Sequence, residues 1–141
     1  MRKHIQTPTG CLAVLTKGDD VLEALERIAV QENVQSASFF GLGFASRAKF
    51  GFFDHAQRSY HPKEFCEIEI TNLTGTIAWE EGTVSIHAHA TGCDDTFAAV
   101  GGHLLEMIVG KGSIEITLVD HKILLKREFD ANVGGKVLQL Q

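Results

Sequence analysis

Three of the seven histidines of the chain lie close together in the stretch IHAHATGCDDTFAAVGGHL, residues 86–104. His87 and His89 are separated by one residue, and His103 follows a Gly-Gly pair. Neutral imidazole is the commonest ligand for transition metals, and three imidazoles with an open fourth position are typical of catalytic zinc. Nickel, copper and iron accept the same ligands. The pattern predicts one divalent metal ion, zinc above the others, at His87, His89 and His103. The alternative is a set of hydrogen-bonded or solvent-facing rings without metal.

The segment TVSIHAHA, residues 83–90, has the alternation of a β-strand with one buried face. Successive side chains of a strand point to opposite faces, so His87 and His89 share a face and lie about 6–7 Å apart along the strand. Ala88 then faces the core. We expect His103 to return over the same face after a loop of thirteen residues, in which Gly101 and Gly102 allow a close backbone approach.

A catalytic metal site also requires a group that donates or accepts a proton. The sequence offers several such groups without choosing among them, and each alone is more typical of an ordinary charged surface. They are Glu67, Glu69, Asp94, Asp95, Glu106 and His61. Glu67 and Glu69 are also the expected hydrogen-bond acceptors for the histidine rings. Cys93 is a further candidate, as a nucleophile or a soft metal ligand, although a lone cysteine is usually neither.

One helix and many strands must position these residues. DDVLEALERIAVQEN, residues 19–33, has apolar residues at helical spacing, with Asp20 and Glu23 resembling a capping box and Asn33 as a stop. Strand patterns occupy most of the remaining chain. They are GCLAVLT, SASFFGLGF, RAKFGFFD, EFCEIEI (with a slip at Cys66), TGTIAW, TVSIHAHA, SIEITLVD, KILLKREF and KVLQL. This order predicts an α+β fold, a mostly antiparallel or mixed sheet with one or two helices.

The glycine-containing stretch GLGFAS, residues 41–46, resembles the start of a dinucleotide-binding fingerprint. Ser46 stands where the third glycine belongs, and strand residues follow in place of a helix, so we expect no bound nucleotide cofactor. Gly41 and Gly43 are better explained by a tight turn or a β-bulge. The aromatic residues from Phe39 to Phe53 are more numerous than one small core needs, which favours an interface.

The length of the chain is that of one domain, residues 1–141, and the core of that domain is predicted to extend from about residue 3 to residue 140. No apolar run is long enough to span a membrane, and the basic start MRKH lacks the apolar region of a signal peptide. The three cysteines form no CxxC motif, which predicts reduced thiols in a cytoplasmic protein. The net charge of −5 argues against binding to nucleic acid.

Several segments in a fixed order resemble the plant-and-prokaryote-conserved (PPC) domain family, in its stand-alone prokaryotic type. They are Gly41-Leu42-Gly43, then FGFFD, EFCEIEITNLTG, HAH and GGHL. The resemblance covers roughly Lys3 to Leu140. It implies a compact α+β homotrimer with metal ligands at His87, His89 and His103. The family fold is similar to that of acetolactate decarboxylase, a zinc enzyme with an HxH pair and a third downstream histidine.

The resemblance leaves two hypotheses for function. Plant members carry AT-hook motifs and bind DNA, and prokaryotic members are often named DNA-binding proteins, but this sequence contains no Arg-Gly-Arg-Pro hook. The first hypothesis is a trimeric metal-binding domain with a small-molecule ligand at the metal, which includes a zinc enzyme of the lyase or hydrolase kind. The second is a DNA-associated or protein-interaction module in which the metal is structural. An open metal position beside a concave pocket would favour the first.

Overall fold

The computed structural model describes residues 3–140 of the 141-residue chain. Within that range the chain forms eight strands and one helix. In chain order they are β1 His4–Thr7, β2 Gly10–Thr16, α1 Val21–Gln31, β3 Ala37–Asp54, β4 Ser59–Glu80, β5 Thr83–Cys93, β6 Ala99–Asp120, β7 Lys126–Asp130 and β8 Gly135–Gln139.

The eight strands form one sheet that closes on itself at its centre. β3 pairs with β4 and β6, and β5 pairs with the same two strands, so the four make a ring of hydrogen-bonded neighbours. β2 and β1 extend the sheet from β6, and the β7–β8 hairpin attaches to β4. The pairings are antiparallel except at Trp79 and Lys126, where β4 meets β7 in parallel. The predicted α+β fold with a mostly antiparallel sheet is therefore confirmed.

The helix begins and ends where its sequence predicts. Asp20 has extended backbone angles, and its side chain accepts a hydrogen bond from the Glu23 backbone N–H at 3.1 Å. This bond satisfies one of the N–H groups left open at a helix start. The residue at the predicted stop, Asn33, has a φ of 53°, in the left-handed region that ends helices.

Two of the long strands each combine two segments that the sequence analysis predicted as separate strands. SASFFGLGF and RAKFGFFD are one strand, β3, whose register with β4 shifts between Gly41 and Gly43. The predicted bulge is thus confirmed, and a side chain at Gly43 would place its Cβ 2.1 Å from the Ser113 carbonyl oxygen. EFCEIEI and TGTIAW likewise join in β4, where Glu67 adopts a φ of 51° beside the slip expected at Cys66.

One apolar core lies between the helix and the sheet. Leu25 of α1 packs in the same cluster as Phe39, Ile77 and Leu118, and these side chains are fully buried. We call the side of the sheet that carries the core the inner face, and the opposite side the outer face. The helix of the described chain is neither long nor apolar enough to cross a membrane.

Candidate metal centre

The histidine pair lies on the outer face of β5, as the alternation predicts. Ala88 and Ala90 are only 2% and 3% exposed and belong to the core, whereas His87 and His89 are exposed. β4 holds this strand from one side, and its Thr76 lies opposite His87. The apolar alanines therefore fix the direction of the histidines. A one-residue shift in register would exchange the two faces of the strand, so that both imidazoles would be buried and core residues exposed.

His103 reaches the pair by strand pairing, which corrects the prediction of a thirteen-residue loop. β5 continues to Cys93 and β6 begins at Ala99, so the connection has only the residues 94–98. In the antiparallel register His103 lies directly opposite His89. Gly101 permits this close pairing, since a Cβ there would lie 2.4 Å from the Ala90 carbonyl oxygen. Cross-strand partners share a face, so the third imidazole joins the other two on the outer face.

The three imidazoles converge on a common point. Their ring centroids are 5.1 Å apart for His87 and His89, 5.2 Å for His87 and His103, and 5.3 Å for His89 and His103. One ring nitrogen from each residue lies within 4.8 Å of the other two. The Nε2 atoms of His87 and His89 are 3.1 Å apart, a hydrogen-bond distance in which one ring donates and the other accepts.

This geometry fits a tetrahedral metal ion. Two nitrogens bound to zinc at about 2.0–2.1 Å with a tetrahedral angle are about 3.3 Å apart. The 3.1 Å separation of the His87 and His89 nitrogens is already close to that value. The ring nitrogen of His103 lies within 4.8 Å of these two nitrogens and needs only to move closer to reach the same ion. Three nitrogens then leave one position of a tetrahedron free.

The surroundings keep two of the rings neutral, which is the form that binds metal. Burial lowers the pKa of His103 to about 4, and the neighbouring His87 and His89 add to the effect. The neighbouring groups also remove part of the water around the otherwise exposed His87 ring, and this partial desolvation lowers the pKa of His87, helped by His89 and by the guanidinium of Arg127. Protons therefore compete weakly for these two nitrogens at neutral pH.

A cleft of about 510 Å³ opens beside the histidines, and its other wall is aromatic. Tyr60 of β4 stacks on His103, with centroids 4.6 Å apart and an angle of 16° between the rings. Phe53 of β3 meets Tyr60 edge-on at 5.1 Å. Sequence reasoning missed Tyr60 and assigned Phe53 to an interface instead of this site. They lie far from the histidines along the chain, and only the pairing of β3 with β4 and β6 brings them to the site.

Arg127 is a further residue that sequence reasoning did not place at the site. It lies on β7, is only 5% exposed and reaches the outer face beside the histidine strand. Its guanidinium donates to the Ser85 carbonyl oxygen at 2.6 Å and to the Thr76 hydroxyl oxygen at 2.5 Å. Ser85 precedes His87 by two residues on β5, and Thr76 of β4 is the cross-strand partner of His87. Arg127 of β7 therefore joins three strands next to the site.

The comparison with protein families agrees with this architecture. The model of the Plants and Prokaryotes Conserved (PCC) domain matches residues 5–121. The chain belongs to this family. The resemblance to the PPC domain seen in the sequence is thereby confirmed. No curated protein matches the chain.

Solved structures share the fold of this PCC domain. A candidate DNA-binding protein from Ralstonia eutropha JMP134 is 48% identical, with a TM-score of 0.96, over 99% of this chain and 96% of that one. A metal-containing protein from Archaeoglobus fulgidus is 22% identical, with a TM-score of 0.84, over 99% and 100% of the two chains. The α-acetolactate decarboxylase of Bacillus subtilis strain 168 is 11% identical, with a TM-score of 0.60, over 82% of this chain and 54% of that one. The expected similarity to the acetolactate decarboxylase fold is confirmed.

Two of the proposed proton-transfer residues of this PCC domain are engaged in ion pairs. Glu106 binds Arg47 and lies 3.9 Å from Lys49. His61 lies 3.3 Å from the carboxylate of Asp54, and of that pair only Asp54 lines the histidine cleft. The structure thus places Asp54, which the sequence analysis did not select, in the wall of the histidine cleft, where neither expected residue lies.

The remaining acidic candidates lie elsewhere in the PCC domain. Glu67 and Glu69 line a separate cavity with Cys93, Asp94 and Asp95. The expectation that Glu67 or Glu69 orients the histidine rings was wrong, because the bulged part of β4 carries them to a different part of the molecule. The Asp94 carboxylate instead accepts hydrogen bonds from backbone N–H groups within the β5–β6 connection.

Proposed function

We propose that this PCC domain binds one divalent metal ion, zinc, through His87, His89 and His103, and that the metal receives a small-molecule ligand from the cleft. The convergence of three imidazole nitrogens at the edge of a 510 Å³ cleft carries the proposal. A zinc ion with three imidazole ligands keeps a fourth position for water or substrate, the arrangement of catalytic sites. When bound there, it would supply a water of lowered pKa or polarise a carbonyl.

The electrostatics of the site support metal binding over the alternative of a histidine cluster without a metal. Neutral rings at His87 and His103 follow from their lowered pKa values. The hydrogen bond between His87 and His89 involves one nitrogen of each ring and leaves His103 out. A metal cation can accept a nitrogen lone pair from each of the three rings, so it satisfies more of these groups than the hydrogen bond does. The Archaeoglobus fulgidus relative of the same fold is a metal-containing protein, which supports the same conclusion for this chain.

A zinc-dependent enzyme of the lyase or hydrolase kind is the specific form of this function that the cleft favours. An open metal position beside a concave, partly aromatic pocket is the usual setting of small-molecule chemistry. The acetolactate decarboxylase of Bacillus subtilis has the same fold over part of its length. Asp54 is the acidic residue of the cleft, and we assign it the role of proton acceptor or donor in such a reaction.

A DNA-binding role has less physical support. The Ralstonia eutropha relative is named as a candidate DNA-binding protein. This chain, however, has 18 acidic and 13 basic residues, so its net charge of −5 repels phosphates. We therefore favour the small-molecule site over the DNA-associated module.

We also propose that the domain works as a homotrimer in the cytoplasm. The outer face carries a group of exposed apolar side chains on β1, β2 and β3. They are Ile5, Leu12, Val14, Phe40 and Leu42, from 36% to 56% exposed. β1 pairs with β2, and only β6 separates β2 from β3, so the exposed apolar side chains lie on neighbouring strands of one sheet, and such a patch is typical of an interface. The three-fold symmetry rests on the family resemblance, and the cytoplasmic location on the free thiols of all three cysteines.

Calorimetric titration of metal-free protein with Zn²⁺ tests the metal proposal. We expect one zinc ion per chain for the wild type and no comparable binding for the His87→Ala/His89→Ala variant, which keeps the fold because both side chains are exposed. A matched control replaces two histidines outside the cluster, His61→Ala/His121→Ala, and should bind zinc as the wild type does. Equal binding by wild type and the His87/His89 variant would refute the proposal.

A further inference from the structure

We propose that Tyr60 is a positioning residue for the metal centre and that it holds the His103 ring in the direction required for coordination. This inference rests on the proposed function. Tyr60 lies on β4 and His103 on β6, and the strand between them is β3. Their rings are nearly parallel, at an angle of 16° and a centroid distance of 4.6 Å, which is a stacked contact.

The stack replaces the hydrogen bond that usually orients a metal-binding histidine. Such a histidine ordinarily donates its second ring N–H to a carboxylate or a carbonyl oxygen, which fixes the plane of the ring. Among residues 3–140, no side-chain hydrogen bond to His103 accompanies its contacts with Tyr60, His87 and His89. A flat aromatic ring on one face of the imidazole restricts the same rotation by steric contact.

The glycine at position 51 makes this stack possible. Gly51 lies opposite His103 in the pairing of β3 with β6, and the Tyr60 side chain crosses over it. A Cβ at Gly51 would lie 2.7 Å from Cδ1 of Tyr60 and 3.1 Å from Cδ1 of Leu105. An alanine at this position must therefore displace the tyrosine ring, which is the atom group nearest to the added Cβ.

Phe53 provides a second ring contact for the tyrosine. Its ring meets Tyr60 edge-on at 5.1 Å and His55 edge-on at 4.9 Å. Phe53 and Tyr60 are direct partners in the pairing of β3 with β4. The tyrosine thus contacts both a strand partner and the ligand that it orients, and its hydroxyl group is not required for that task.

Zinc titration of four variants tests the inference. Loss of a residue that orients a metal ligand typically lowers metal affinity about 10- to 100-fold. We expect a loss in that range for Tyr60→Leu and for Gly51→Ala, and wild-type affinity for Tyr60→Phe, which keeps the stack. Phe97→Leu, at an exposed aromatic residue outside the cleft, is the matched control and should also bind as the wild type does. Gly51→Ala gives a second result if Tyr60→Leu fails to fold.

The NMR signals of the His103 ring protons provide a readout that a general loss of stability would not change. Stacking under an aromatic ring shifts these protons upfield, and the shift should persist in Tyr60→Phe and disappear in Tyr60→Leu and Gly51→Ala. Unchanged zinc affinity in Tyr60→Leu, with normal binding by the wild type, would overturn this inference alone. Equal losses in Tyr60→Phe and Tyr60→Leu would assign the effect to the hydroxyl group and also overturn it. No zinc binding by the wild type would overturn the proposed function as well.

Discussion

Replacing Arg127 by methionine should destabilise the protein more than most single substitutions. Arg127 is 5% exposed and donates to both Thr76 of β4 and Ser85 of β5. Methionine keeps much of the aliphatic length of the side chain and removes the guanidinium. The carbonyl oxygen of Ser85 and the hydroxyl oxygen of Thr76 then lose a charged donor in a buried setting, which is one of the costly consequences of substitution.

Two charge-assisted hydrogen bonds set the size of the effect. They join the guanidinium to the Ser85 carbonyl oxygen and to the Thr76 hydroxyl oxygen. Bonds of this kind contribute about 1.5–3 kcal/mol each. The two longer contacts, at 3.3 Å and 3.4 Å, add little. Relief of the buried charge offsets part of the loss. We expect the free energy of unfolding to fall by about 3 kcal/mol, or about 10 °C in Tm for a domain of this size.

Urea denaturation of two matched variants checks this estimate. Arg127→Lys keeps the charge but replaces the two separate guanidinium nitrogens by a single ammonium nitrogen, so its loss should be about half as large. Lys126→Met changes an exposed neighbour on the same strand and should stay within about 0.5 kcal/mol of the wild type. The reasoning fails if Arg127→Met matches Lys126→Met in stability, because the guanidinium would then contribute nothing to the joining of the three strands.

Three further predictions concern pH, assembly and DNA. In the metal-free protein the pKa of His103 is about 4. The unfolded value is about 6.5, so the unfolded state binds more protons between these values. Stability should therefore fall by about 1–3 kcal/mol as pH drops from about 6.5 to 4. Urea titrations across that range should show a smaller slope for His103→Leu, and an equal slope would contradict the assignment. Phe40→Lys places a charge on the apolar outer surface, and light scattering should show a smaller particle than the wild type, whose own mass should be three times 15.4 kDa. Electrophoretic mobility assays at about 150 mM salt should show no sub-micromolar binding to duplex DNA, and such binding would overturn the argument from charge.

The direction of the histidine pair could be predicted from the sequence because it depends on a local rule. Alternation along β5 requires Ala88 and Ala90 to face the core, and that requirement sends His87 and His89 outward. The way in which His103 reaches them could not be predicted in the same manner. Apart from Phe97 and Val100, the residues around the β5–β6 connection are small or polar and do not alternate, so a strand pairing resembled a loop.

Contacts between distant strands account for what the sequence did not reveal. Tyr60 reaches His103, and Arg127 reaches Ser85, only through the register of strands that are far apart in the chain. The bulge at Gly41 and Gly43 looked like a break between two strands, because glycine is equally typical of turns. Residue types alone therefore indicated the metal ligands, while the residues that support them required the three-dimensional structure.

X-ray absorption at the zinc edge of the loaded protein tests the central claim most directly, since it reports the atoms bound to the metal. The account predicts three nitrogen neighbours at about 2.0–2.1 Å with the multiple-scattering pattern of imidazole, and one further light-atom neighbour in the open position. A sulfur neighbour at about 2.3 Å would assign the metal to a cysteine and contradict the three-histidine centre, as would fewer than three imidazoles.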